Sequence, residues 1–263
     1  MIFTLLYSSG IFMLSRNFRL QKVGNLEWIN KNYNFRNISS AIDELIVLDV
    51  SREVRDANTF CEIIKVLNDQ CFIPVAVGGG IRTEDNAELL INSGADKIVV
   101  NTILQENPSL VEELVLRFGS QCIIASVDFK LIDNEFRAFI KNGAEEVKQN
   151  INDYIIAISN LGVGEIYMNS MDKDGTGQGY VLDILNSIDE NINSPIIIAG
   201  GAGNFYHLYE GLHQARVDAV ATANLFNFIG DGLPRARKEL LNDGIALAVW
   251  DPQEEEKLMD CFK

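Results

Sequence analysis

Asp128 ends an otherwise apolar run, Cys122–Asp128, and a carboxylate placed there faces partly desolvated surroundings. Burial favours the protonated form, which suits a general acid or base; the plain alternative is a capped structural aspartate. Two glycine clusters offer different chemistry. Gly78-Gly79-Gly80 follows Ile73–Val77, and Gly200-Gly201-Ala202-Gly203 follows Pro195–Ala199, about 122 residues later. Glycines after a short strand leave backbone N–H groups free to approach an anion. Gly79 and Gly80 group with Asn101 and Thr102. Gly201 and Gly203 group with Ala223, Asn224 and the Asp172–Thr176 turn, which holds Asp174, Gly175 and Thr176. Two such cradles suit a long substrate with phosphate at both ends; tight turns alone are the other reading.

The elements that must position these residues recur regularly. Strand-like runs are Ile2–Tyr7, Glu44–Val50, Ile73–Val77, Lys97–Asn101, Cys122–Asp128, Glu165–Asn169, Pro195–Ala199 and Ala219–Ala223. Between them lie amphipathic stretches such as Asp56–Leu67, Thr83–Ser93 and Ser109–Phe118. Apolar runs alternating with helices signal βαβ units and a parallel sheet. Eight near-equal units predict an α/β fold, a (β/α)8 TIM barrel, in preference to an open doubly wound sheet. Asp96 and Asp218 sit 122 residues apart in similar contexts, so the barrel is a doubled half-barrel, and Leu6 stands where the other half has Asp128. Ser8–Asn25 reads as an active-site flap and Leu131–Asn142 as a small hairpin. One barrel over residues 1–250 and an acidic tail over 251–263 complete the organisation.

The net charge of −15 opposes a nucleic-acid or anionic-membrane partner. Four scattered cysteines and two histidines give no metal-ligand spacing, so neither metal nor cofactor is expected. Cys122 reads as core, and His207 and His213 as surface. The apolar opening, Met1–Leu14, lacks a basic leader and a small-x-small cleavage site, and no run reaches membrane-span length. These readings predict a cytoplasmic protein.

In order along the chain, Asp43-Glu44-Leu45, VGGGI at 77–81, GADK at 94–97, NPSL at 107–110, SMDKDGT at 170–176 and GGAG at 200–203 resemble the cyclase subunit of imidazole glycerol phosphate synthase. The resemblance covers nearly the whole chain. It implies a barrel that receives ammonia from a class I glutaminase docked under its base and joins it to a bisphosphorylated substrate at the top. It places a catalytic aspartate on Asp128 and phosphate contacts on Gly80, Asn101, Thr102, Asp174, Gly175, Gly201 and Ala223, with Asn224 where a serine is usual. It places a charged gate on Glu44, Lys97 and Glu165, with Asp96 at the partner interface. The gate's arginine would precede Met1.

The family's other catalytic aspartate falls on Leu6, and the usual first-loop lysine on Leu14. Leucine exchanges no proton, so a two-carboxylate mechanism cannot run unchanged. In this the chain resembles a divergent branch found with surface-polysaccharide genes, in which barrel and glutaminase supply ammonia to a separate sugar-amidinating enzyme. An authentic histidine-pathway cyclase and a non-catalytic phosphate-binding scaffold are the alternatives.

Overall fold

The computed structural model describes residues 1–32, 41–223 and 232–249. Eight parallel strands close into a barrel: β1 (Ile2–Ser8), β4 (Glu44–Asp49), β5 (Val75–Gly78), β6 (Lys97–Val100), β7 (Ile123–Ile132), β10 (Glu165–Ser170), β11 (Ile196–Ala199) and β12 (Ala219–Thr222). Closure is made by β12 pairing with β1, Ile2 opposite Ala221. The apolar runs in the sequence are these strands because each is covered on both faces, by helices outside and by packed side chains inside. The interior cluster includes Ile2, Ile46, Val99, Ile124, Ile197 and Ala221.

The helices begin where local chemistry starts them. Asp56 accepts from Thr59 N to cap α2 (Ala57–Gln70). Thr83 and Asn86 form a reciprocal capping box on α3 (Glu84–Asn92). Asn107 caps α5 (Pro108–Phe118), whose proline occupies a position that needs no N–H. The remaining helices are α1 (Leu26–Asn32), α4 (Thr102–Glu106), α6 (Ile151–Asn160), α7 (Phe205–Leu212) and α8 (Gly232–Asn242).

Strand register obeys the internal repeat. Val99 opposes Ile124 just as Ala221 opposes Ile2, and both pairs are related by 122 residues. Asp96 Oδ2 accepts from Val75 N at 2.8 Å, and Asp218 Oδ2 from Ile196 N at 2.9 Å, so each half starts a strand with the same carboxylate.

The expected flap has a regular form, and one residue departs from the sequence reading. Ser8–Asn25 is a hairpin of β2 (Ile11–Arg16) and β3 (Arg19–Gly24), which extends β1 antiparallel. Its two-residue turn, Asn17-Phe18, has both φ angles positive, a geometry matched to the twist of paired strands. Cys122 is half-buried at the end of a short 3-10 turn, one residue before β7, and is not a core strand residue. The expected second hairpin is present as β7 with β8 (Glu135–Ile140), turning at Asp133-Asn134; a two-residue strand, β9 (Glu145–Glu146), follows. The segment 251–263 lies outside the described residues.

Candidate functional site at the barrel mouth

Strand polarity sends all eight C-terminal ends to one face, where a cavity of about 940 Å³ opens. Its wall includes Asp128, Gly79, Gly80, Asn101, Thr102, Asp174, Gly175, Gly201 and Ala223. It reaches down to Thr4 and Tyr167, whose hydroxyls lie 3.2 Å apart. Residues spread over 220 positions thus share one hollow.

Asp128 is a buried part of its wall. Its strand partner is Asn169, so the two side chains lie abreast and Asn169 Nδ2 donates to Asp128 Oδ1 at 3.0 Å. Asn101 Nδ2 donates to Oδ2 at 3.3 Å and to Ser126 O at 2.9 Å. Burial pushes the carboxyl up to about 7; the Asn169 hydrogen bond opposes this, and the nearby Asp174 charge adds to it. A carboxyl poised there can both give and take a proton near neutral pH.

The repeat-related positions opposite are apolar. Leu6 pairs with Leu48 on β1 and β4, as Asp128 pairs with Asn169 on β7 and β10. Leu6, Leu14 and Leu48 all line the cavity. At these paired positions one half of the mouth carries a proton-exchanging carboxyl and the other half does not.

The glycine loops are tight by necessity. Gly79 (φ +110°) and Gly201 (φ +113°) hold left-handed backbone, and a side chain on either would strike a neighbouring carbonyl, of Asp49 and of Gly179 respectively. Beside the first loop, Thr102 Oγ1 accepts from Lys141 N at 3.2 Å. Two expected residues lie behind the rim, outside the cavity wall. Gly203 N–H is taken by His207 Nδ1 at 3.1 Å, and the Thr176 hydroxyl donates to Lys173 O at 2.8 Å. His207 is therefore half-buried and anchors that loop, whereas His213 is exposed. Asn224 lies outside the described residues.

The β2–β3 hairpin leans over the mouth and is tied to the loop after β10. Ser15 Oγ donates to Asp174 Oδ2, Phe18 N donates to the same oxygen at 2.9 Å, and Asn17 Nδ2 donates to Asp172 O at 2.7 Å. Burial raises the Asp174 carboxyl above its usual range, against the lowering effect of Ser15 and Phe18.

At the opposite end, the first residues of β4, β6 and β10 converge. Lys97 Nζ donates to Glu44 Oε2 at 2.7 Å and to Glu165 Oε1 at 2.8 Å. Burial lifts the Glu44 carboxyl above its ordinary value, only partly offset by Lys97. For Lys97, burial acts to lower the ammonium's value, but the bonds to Glu165 and Glu44 outweigh it. Glu44 Oε1 and Glu165 Oε2 are buried without a hydrogen-bond partner among the described residues. Asp96 is exposed nearby in sequence, with its carboxylate engaged by β5.

Sequence alone does not single out Asn169, Tyr167 or Arg55. Asn169 carried a signal, since it closes an apolar strand as Asp128 does. Arg55 had none, because its place beside Gly80 and its Nε–Asp49 Oδ2 distance of 3.6 Å depend on how α2 packs. Among the described residues, no group of three His, Cys, Asp or Glu is placed to hold a metal ion, and no helix is long and apolar enough to cross a membrane.

Fold and mouth together define a two-fold repeated (β/α)8 barrel with a buried, protonatable carboxyl, Asp128, at a mouth bounded by two glycine loops. The family model for histidine biosynthesis proteins matches residues 30–230. A protein of Parasynechococcus marenigrum, provisionally named imidazole glycerol phosphate synthase subunit hisF2, is 44% identical over 95% of this chain and 93% of its own length. Subunits named HisF from Flavobacterium johnsoniae and Chloroherpeton thalassium are 34% and 37% identical over 79% of this chain and 82% of theirs. This chain belongs to the HisF family of histidine-biosynthesis barrels.

Proposed function

We propose that this chain is the barrel subunit of a glutamine amidotransferase. A class I glutaminase of the HisH type docks over the Glu44–Lys97–Glu165 face, beside Asp96, and releases ammonia there. Ammonia passes along the barrel axis to the mouth, where a phosphorylated small molecule is held between the Gly80/Thr102 and Gly201/Asp174 loops. The carrying observation is alignment. The ring and the cavity lie at opposite ends of the same strands, with Glu165 and Asn169 on one strand about 13 Å apart at the usual rise per residue. The unpartnered oxygens of Glu44 and Glu165 give a passing N–H donor something to bond.

Leu6 and Leu14 separate this chain from a two-carboxylate cyclase. We therefore read the acceptor as a sugar amidinated for the cell surface, with a separate enzyme completing the transfer. The near-neutral Asp128 favours a second reading, an imidazole glycerol phosphate synthase cyclase in which one carboxyl serves as acid and base in turn.

Mixing the purified chain with a HisH-type glutaminase tests the complex: association and a rise in glutamine hydrolysis are expected, and absence of both overturns it. Supplying ammonia and the histidine-pathway bisphosphate separates the two readings. Loss of one acid–base group predicts turnover about 10²–10⁴-fold below a two-aspartate cyclase. Product absorbance at an ordinary cyclase rate would establish the second reading.

A further inference from the structure

The chain carries 22 basic and 37 acidic residues, yet the mouth cavity reverses that balance. It is lined by Arg16, Arg19, Arg52, Arg55, Arg82 and Lys141 against the carboxylates of Asp49, Asp128 and Asp174. Lys141 is neutralised by Glu106 and Glu145, and Arg55 lies near Asp49. Arg52 is engaged by a carbonyl, its Nη2 donating to Phe18 O at 2.7 Å. Arg16 and Arg19 have no carboxylate partner among the described residues.

These two arginines are also cross-strand neighbours, directly opposite each other where β2 turns into β3. Like charges so placed repel and destabilise a hairpin. Here the hairpin overhangs the cavity, and Arg52 of the β4–α2 loop reaches the same turn at Phe18. The repulsion is relieved when an anion bridges the guanidinium groups, whose planar donor forks match phosphate oxygens. On the β1 and β4 side Leu6, Leu14 and Leu48 make an apolar patch of the cavity wall, beside the buried carboxylate of Asp49, which lies near Arg55. That side has an apolar patch and a cationic rim, which suits a surface that holds a ligand.

We infer that Arg16, Arg19 and Arg52 form a third anion subsite, separate from the two glycine loops, that takes a phosphoryl group of the ligand. The ligand then carries phosphate toward the hairpin as well as toward the loops, with an apolar or uncharged portion against the leucines. The inference extends the phosphate-binding reading and needs no glutaminase.

The probe is inorganic phosphate, titrated at low ionic strength into the isotope-labelled full chain while backbone amide resonances are followed. Saturable shifts at residues 16–19 and 52 are expected. The double substitution Arg16→Gln, Arg19→Gln weakens that set at least about tenfold, as expected for lost charge-assisted hydrogen bonds, while shifts at Gly80 and Gly201 keep their midpoints within about twofold. Both arginines are exposed, so the variant retains the fold, which its unperturbed amide spectrum elsewhere verifies. Shifts confined to the glycine loops, shifts at the hairpin that never saturate, or hairpin midpoints unchanged in the double variant would each overturn the third subsite. Saturation at the hairpin with silent glycine loops would uphold it and count against the loops instead.

Discussion

Replacing Asp128 by Asn should stabilise the protein, and by more as pH rises. In the folded chain the carboxyl is raised by burial to about 7, against about 3.9 in an unfolded chain. Between those values the unfolded state has released its proton and the folded state still holds it. Stability therefore falls as pH climbs through this window, by about 1.4 kcal/mol per unit, and levels off above the folded value. The full deficit is about 4 kcal/mol above pH 8, of which roughly a third is already present at pH 5. Asparagine keeps the shape and one acceptor for Asn169 Nδ2, but it turns a donor toward Asn101 Nδ2 and forfeits that 3.3 Å bond, a loss of about 1 kcal/mol. Urea unfolding of both proteins at pH 5 and pH 8 measures the difference. The advantage of Asp128→Asn should grow by about 2–3 kcal/mol between the two pH values. A pH-independent difference would refute the premise that burial leaves this carboxyl protonated near neutrality. A costly aspartate at that position is then best understood as retained for proton transfer.

Other substitutions probe the remaining features. Lys97→Met leaves Glu44 and Glu165 facing each other without their cation; denaturant melts should show a loss near the lower end of the ~3–5 kcal/mol typical of a broken buried pair, since the ring is partly exposed. The same variant should lose its stimulation of the glutaminase, read as glutamate release. Ser15→Ala with Asn17→Gly removes the side-chain ties between the hairpin and Asp174, Asp172 and Met171; faster amide hydrogen exchange over 11–24, with barrel strands unchanged, is expected. Gly79→Ala should cost several kcal/mol in thermal or denaturant unfolding, because left-handed backbone and the Asp49 carbonyl both oppose a methyl group.

The sequence alone determined the eight barrel strands, their order and the two-fold repeat. A parallel strand covered on both faces must be an unbroken apolar run, and Ile196–Ala199 or Val75–Gly78 can be read as little else. It also located Asp128 and the glycine loops, since a polar residue or a glycine ending such a run can lie only at the mouth. Lateral neighbours were decided by the tertiary structure. Asn169 meets Asp128 across 41 residues only because β10 pairs with β7 in that register, and Leu48 accompanies Leu6 for the same reason. The hairpin's place over the mouth and the arginines gathered from β2, β3 and the β4–α2 loop likewise depend on barrel closure. Local propensity acts over a few residues, whereas the field at the mouth sums charges brought together from segments tens of residues apart.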